Sequence, residues 1–308
     1  MRNVNQIDIN PNMNVEDLVD EMEKTGVLGP GSFSKATKIV SEIFRDKKYT
    51  VLLTLAGPLV PAGLRSIIRY LIEENYIQCL VTTGANVTHD LVESFGYRHK
   101  IGDSSINDMH LKDRGLGRIY DICIEQKAFE KLEKEIHKIL EDIPMNKRRG
   151  ISSYELLWEI GDRLKKNDSI LKAARKQNVP IICPCLQDSI LGLNLWTFSQ
   201  LKTLGLNSLL DLDKLTEIMF SAKKLGAIIL GGGVPKHHTL IASTLRGGFD
   251  AAIQITLDRP EGGGLSGAPL EEAISWKKVK SDKKIVTVIG DVTMLFPLII
   301  LSSIRKIA

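Results

Sequence analysis

The 308-residue chain is short of cysteine, with four, and of aromatic side chains, at 6%. Cys79, Cys123, Cys183 and Cys185 all lie in or beside apolar runs such as Ile77-Gln-Cys-Leu-Val81, which reads as reduced, buried thiols. Cys183-Pro-Cys185 lacks CxxC spacing and has no second pair nearby, so no metal site is expected. An excess of either charge is also missing, since 41 basic and 37 acidic side chains leave +4. A phosphate-tracking surface leaves a large basic excess, which argues against nucleic-acid binding as the main task. No apolar run is long enough for a membrane span: the stretch Ile285–Leu301 is interrupted by Gly290, Asp291 and Pro297. Residues 1–14 are polar without an apolar h-region, so no signal peptide is expected and the chain reads as cytoplasmic. GxGxxG, the usual dinucleotide fingerprint, is absent, as are internal repeats and low-complexity tracts.

What is present is ordinary globular material: 43% apolar and 25% charged residues, enough chain for one large α/β domain. Short β-branched runs predict strands at Tyr49–Leu55, Ile77–Thr83, Arg118–Ile124, Val179–Cys183, Ala227–Leu230, Ala251–Thr256 and Ile285–Ile289. Several are apolar almost throughout, as strands buried on both faces of a parallel sheet are. Amphipathic stretches at Ala62–Asn75, Phe129–Leu140 and Leu212–Leu225 predict helices between them. The alternation implies a doubly wound, mostly parallel α/β sheet with helices on both faces, Rossmann-like, with a nucleotide-sized crevice whose chemistry the pattern leaves open. Pro144–Gly150, with Lys147, Arg148 and Arg149, is expected to be an exposed basic loop. Ser152 and Glu155 then form a capping box that opens a helix.

Ligands of open parallel sheets bind beyond the carboxyl ends of the strands. There the sequence places small residues and aspartates: Gly84-Ala-Asn86, Gln187-Asp188, Gly231-Gly-Gly233, Asp258 and Gly290-Asp291. Gly231-Gly-Gly-Val-Pro-Lys236-His237-His238 lets a ligand approach backbone and puts a Lys-His-His sequence on the rim; a tight turn with two structural imidazoles accounts for it equally well. Pro269 can start a helix on which Glu272 and Trp276 share a face. A carboxylate beside an indole can cradle an alkylammonium, although a solvated glutamate and a core tryptophan make the same pattern. Lys277, Lys278 and Lys280 read as a solvated basic end unless one has its pKa lowered to act as an amine near pH 7.

Taken in order, Ala56–Arg65, Val81–Asn86, Leu156–Gly161, Gly231–His237, Gly264–Gly267, Glu272–Lys278 and Asp291–Pro297 resemble deoxyhypusine synthases, in their archaeal form, over about Asn14 to Leu301. The resemblance implies NAD-dependent oxidation of spermidine, capture of its aminobutyl group on an enzyme lysine as an imine, and transfer to a lysine of translation initiation factor 5A. It implies Lys278 as that lysine and His237 as holder of the secondary amine or its proton. Glu272, Trp276, Gly263 and Ser266 fall on substrate positions, and Thr83, Gly84, Ala85, Asp188, Gly232, Asp291 and Val292 on NAD positions. It further implies one domain over residues 1–308, a homotetramer, and an N-terminal segment of about 30 residues that reaches a neighbouring subunit.

The chain departs from that pattern in places. Thr88-His89 stands where Glu-Glu is usual, Leu193 and Leu265 where aspartates often anchor the polyamine, Lys277 for a glycine and Gly262 for a tryptophan. A trication buried without acidic partners loses affinity. Two alternatives therefore stay open: aminobutyl transfer to a small amine, as in homospermidine synthase-like relatives, and a protein that retains only ligand binding or subunit assembly.

Overall fold

The computed structural model describes residues 3–307; Met1, Arg2 and Ala308, which belong to the predicted single domain, lie outside the described residues. In chain order the elements begin with α1 (Val15–Thr25), α2 (Leu28–Arg45), β1 (Tyr49–Leu55), α3 (Arg65–Glu73) and β2 (Cys79–Val81). There follow α4 (Gly84–Ser94), β3 (Lys100–Ile101), α5 (Asp108–Asp113), β4 (Leu116–Ile119), β5 (Ile122–Glu125), α6 (Lys127–Glu141) and α7 (Met145–Arg148). Next come α8 (Ser153–Arg163), α9 (Ile170–Lys176), β6 (Ile181–Ile182), α10 (Ile190–Leu201) and α11 (Leu209–Ser221). The chain continues through β7 (Lys224–Leu230), α12 (Gly233–Ser243), β8 (Ala251–Thr256), α13 (Glu272–Ser275), β9 (Ile285–Ile289) and α14 (Val292–Arg305). They form two compact units, one made of the residues up to Leu55 with those from Lys214 on, the other of Ala56–Asp213.

In the first unit β1, β7, β8 and β9 run parallel in that order, in registers that pair Tyr49 with Lys224, Gly226 with Ala251 and Ala252 with Ile285. Tyr-Thr-Val-Leu-Leu-Thr-Leu in β1 and Ala-Ala-Ile-Gln-Ile-Thr in β8 are buried nearly throughout, because helices flank the sheet. α2 lies on β8 and β9 through an apolar face that includes Phe33, Val40 and Phe44, and α14 packs against α2. α12 packs on β1. α1 starts at a capping box between Asn14 and Asp17 and stops at left-handed Gly26 (φ 66°).

The second unit holds the parallel pair β2–β6 and a separate antiparallel sheet in the order β3–β5–β4. The capping box of α8 is as predicted, Ser152 accepting from the Glu155 N–H at 3.2 Å. The predicted α/β class, with a parallel sheet flanked by helices, is the class observed.

Some boundaries differ from the expectation, each for a physical reason. Arg118–Ile124 is not one strand: Ile119 pairs with Ile122, so Tyr120 (φ 52°) and Asp121 form a two-residue hairpin turn. Leu212–Leu225 is helical only to Ser221, and β7 begins at Lys224. Pro144–Gly150 contains the one-turn α7, and Arg148 is buried with its guanidinium 5.3 Å from the Phe198 ring centroid, so it is no surface docking cation. The helix expected from Pro269 shrinks to the single turn of α13. Ala62 falls in an irregular turn with Gly63 at φ 94°, and regular α3 starts at Arg65.

Candidate active site

β7 delivers the chain to Gly231 (φ 73°), Gly232 and Gly233 (φ 57°), where α12 begins. A Cβ on Gly232 would fall on the Cα of Ser266, so this turn packs backbone to backbone against the second glycine-rich segment. The Ser266 hydroxyl accepts the Gly233 N–H at 2.9 Å. From this junction α12 presents Lys236, His237, Leu240 and Ile241, and the residue after it Thr244, to a cavity of about 460 Å³. The opposite walls are Gly263, Gly264, Leu265, Ala268 and Pro269, then Glu272, Ala273, Trp276 and Lys278.

Lys278 is fixed through its backbone. Its N–H donates to the Ala273 carbonyl (2.9 Å), and its carbonyl accepts from the Phe249 N–H (3.0 Å) and the Ser243 hydroxyl (3.0 Å). Its ammonium lies 5.3 Å from the Trp276 ring centroid, within cation–π range. Trp276 is 68% exposed, so the indole forms the rim of the cavity and is not core. Lys277 is exposed and does not line the cavity, so of the two adjacent lysines Lys278 is the one turned toward it. His237 is held below the usual imidazole pKa, first by burial and then by the Lys278 charge, and is neutral near pH 7. Glu272 is the carboxylate of the lining.

Two positions are not where the sequence put them. Lys236, expected on the rim, is only 4% exposed, and its ammonium donates inward to Gln254 Oε1 (2.9 Å) and to the carbonyls of Leu265 (2.9 Å) and Ala268 (2.5 Å). Burial pushes its pKa down to about 8, with Glu272 opposing that shift and Lys278 adding to it. Ser266 does not line the cavity; it braces the Gly233 turn. Gln254, which the sequence reading passed over, is wholly buried in β8. Its signal was there, because a glutamine inside an otherwise apolar strand must have partners.

The candidate cofactor residues divide between the units. In the second, Thr83 is the N-cap of α4, its hydroxyl 3.4 Å from the Asn86 nitrogen. Any Cβ on Gly84 would collide with the Ser189 side chain, while Ala85 and Asp188 are exposed. In the first, Gly232 precedes α12 and Asp291 caps α14, accepting from the N–H groups of Thr293 (2.7 Å) and Met294 (3.3 Å). Bonding from Thr293 holds the Asp291 carboxyl below its usual pKa. Val292 is buried, so only its backbone is available to a ligand. Of the departures noted above, Leu265 lines the cavity, Leu193 is 55% exposed on α10, and Thr88 is buried with its hydroxyl donating to the Gly84 carbonyl (2.8 Å).

A lysine, an imidazole, a carboxylate and an indole thus line one cavity on a parallel α/β sheet, a set chemically suited to an amine ligand. A family model described as deoxyhypusine synthase matches residues 17–303. Proteins described as probable deoxyhypusine synthases share the chain's whole length. The one from Methanothermobacter thermautotrophicus is 45% identical over 99% of both chains, and that from Methanopyrus kandleri 42% identical over 93% of both. The crystal structure of an Entamoeba histolytica protein described as a candidate deoxyhypusine synthase superposes with a TM-score of 0.69 at 22% identity, covering 96% of this chain and 94% of that one. The chain belongs to the deoxyhypusine synthase family.

Proposed function

We propose that the protein transfers the aminobutyl group of spermidine, through an imine on Lys278, to a lysine of translation initiation factor 5A in an NAD-dependent reaction in the cytoplasm. The observation that carries this reading is the convergence of Lys278, His237, Glu272 and Trp276 on one cavity. Glu272 pairs with the terminal ammonium of the aminobutyl arm, and the Trp276 face covers its methylenes. Neutral His237 accepts a proton from the secondary amine, which only an unprotonated imidazole can do. Lys278, once it has given up its proton, adds to the imine carbon of oxidised spermidine; the carbon–nitrogen bond to 1,3-diaminopropane breaks and the Lys278 imine remains. The acceptor lysine replaces Lys278 on the same carbon, leaving an imine that is reduced to deoxyhypusine.

NAD, when bound, takes the hydride in the first half and returns it in the second. Taken unit by unit, the residues present suit parts of such a group: in the second unit the backbone N–H groups at Thr83–Ala85 would take phosphate oxygens and Asp188 ribose hydroxyls, and in the first the N–H groups at Asp291–Val292 and the Asp291 carboxylate would do the same. Gly232 adds a turn without a side chain. The active form in this proposal is a homotetramer in which the N-terminal segment, residues 1–30, reaches a neighbouring subunit.

A second reading is favoured by Leu265 in the cavity wall and Leu193 on α10, neither of which can pair with an ammonium. In that reading a small amine such as putrescine takes the aminobutyl group in place of the factor. Incubation with NAD, radiolabelled spermidine and factor 5A, followed by borohydride trapping, separates the two. Label on Lys278 and on the factor supports the first; label on Lys278 with labelled homospermidine when putrescine is added supports the second. No label on Lys278 overturns both.

A further inference from the structure

Beside the cavity lies a pair of buried polar side chains that take no part in the chemistry just described. Lys236, on α12, and Gln254, in the middle of β8, are 4% and 0% exposed. Around them the backbone between Arg259 and Ala268 has little apolar anchorage: residues 261–265 are all exposed, and four of residues 262–267 are glycine. Such a segment is costly to order, since glycine loses more freedom on folding than any other residue. Yet it supplies Gly263, Gly264, Leu265 and Ala268 to the cavity wall. Something must hold it.

Its attachments lead to the same two side chains. The Lys236 ammonium donates to the carbonyls of Leu265 and Ala268 at 2.9 and 2.5 Å, and to Gln254 Oε1 at 2.9 Å. The Gln254 amide spends its two donors on the Ser266 carbonyl (2.8 Å) and the Gly231 carbonyl (3.0 Å). Three consecutive anchoring points of the wall, Leu265, Ser266 and Ala268, and the glycine turn that starts α12 are thus tied to one buried knot. Of the other bonds, Gly263 N–H to the Pro260 carbonyl and Ala268 N–H to the Gly264 carbonyl shape the segment from within, and the Gly233 N–H to the Ser266 hydroxyl adds one more tie to the start of α12. An apolar residue in place of Lys236 would leave the buried Gln254 Oε1 and the part-buried carbonyls of Leu265 and Ala268 without this donor.

We propose that Lys236 and Gln254 are positioning residues that fix the glycine-rich wall of the amine cavity, and that Lys236 sets amine affinity without touching the reacting atoms. The groups that bear on the Lys236 charge are Glu272, which favours it, and Lys278, which disfavours it, with burial against it. Its three acceptors are the compensation for that burial.

The inference about affinity rests on the amine-transfer reading; the inference about order does not, and one variant tests both. Lys236→Met keeps the length of the side chain and removes every donor. Hydrogen exchange of the folded variant should show protection of backbone amides in residues 262–268 falling by at least tenfold, with β7, β8 and β9 unchanged. With saturating NAD and varied spermidine, KM should rise at least tenfold while kcat for 1,3-diaminopropane release stays within about threefold. Gln254→Met, which leaves the Lys236 ammonium its two carbonyls, should show the same pattern at smaller amplitude. Unchanged protection of residues 262–268 in folded Lys236→Met would overturn the proposal. So would a large fall in kcat at constant KM, which would make Lys236 a catalytic group. If wild-type protein releases no 1,3-diaminopropane, the amine-transfer reading fails, and the exchange result still decides the positioning role.

Discussion

Lys277 and Lys278 are neighbours in sequence and differ in nearly every physical respect. Lys277 stands at φ 55°, in the left-handed region, with its side chain in solvent; Lys278 lies half-buried against Trp276. The left-handed conformation costs a side-chain-bearing residue about 1–2 kcal/mol, which explains why glycine suits this position. Lys277→Gly should leave the melting temperature unchanged or raise it slightly, because relief of that strain offsets the added freedom of the unfolded chain. Lys277→Val should lower stability by about 1–2 kcal/mol, since a β-branched residue fits left-handed backbone worst, and denaturant titration reads both. Lys278→Arg should abolish borohydride-trappable label, because a guanidinium stays protonated and forms no imine; trapping at the wild-type level would remove Lys278 from its role. His237, Glu272, Trp276 and Lys278 could be picked from the sequence, through spacing and resemblance together. The inward turn of Lys236 could not, because burial of a lysine depends on three acceptors that arrive from β8 and from the segment after it.

Between α3, α4 and α9, a buried carboxylate and a buried guanidinium meet. Asp90 is 1% exposed and accepts from Arg65 Nε (2.6 Å), the Ser169 hydroxyl (2.8 Å) and the N–H groups of Ile170 (3.1 Å) and Leu171 (3.2 Å). It therefore pairs a buried guanidinium and caps the first turn of α9 at once. Asp90→Ala should cost about 3–5 kcal/mol, measured by urea unfolding, because α9 loses its cap and Arg65 loses its nearest carboxylate and keeps only Glu93 (3.6 Å) and Asp168 (3.4 Å). Beside it, Glu93, His99 and His89 form a chain, with 2.7 Å from Glu93 Oε1 to His99 Nδ1 and 2.8 Å from His99 Nε2 to His89 Nδ1. Burial, and then His99, push the His89 pKa down from 6.5 to about 4. The unfolded chain takes up this proton before the folded one does, so the stability involved is complete above pH 6.5 and is lost as pH falls toward 4. The drop is about 3 kcal/mol, and His89→Gln should flatten that limb of the stability–pH curve. Strands β1, β8 and β9 were legible to the residue, because each is a mostly apolar, β-branched run of strand length. The β4–β5 hairpin was not, since Tyr120 is an unusual residue for positive φ and the apolar pattern runs on through the turn.

At the scale of the whole chain, apolar side chains remain on the surface: Leu193 and Trp196 on α10, and Met294, Leu298 and Leu301 on α14, each more than 40% exposed. The spacing of the α14 set, four and three residues, draws one stripe along that helix. Stripes of this kind mark association surfaces, and sedimentation should give a species of four 34.2 kDa chains that falls apart when Leu298→Asp is introduced. A monomer that still transfers the aminobutyl group would remove assembly from the proposed function. The division into two units could not be seen in the sequence, because hydrophobic periodicity is local and says nothing of which strand a later one joins. That division also bears on synthesis. β1 leaves the ribosome early, but its parallel partner β7 is made only after the whole of Ala56–Asp213. The contiguous unit can begin to fold while the split one waits, holding an apolar seven-residue strand without that partner. Birth order, then, gives Tyr49–Leu55 a need of shelter from aggregation that lasts until β7 is made.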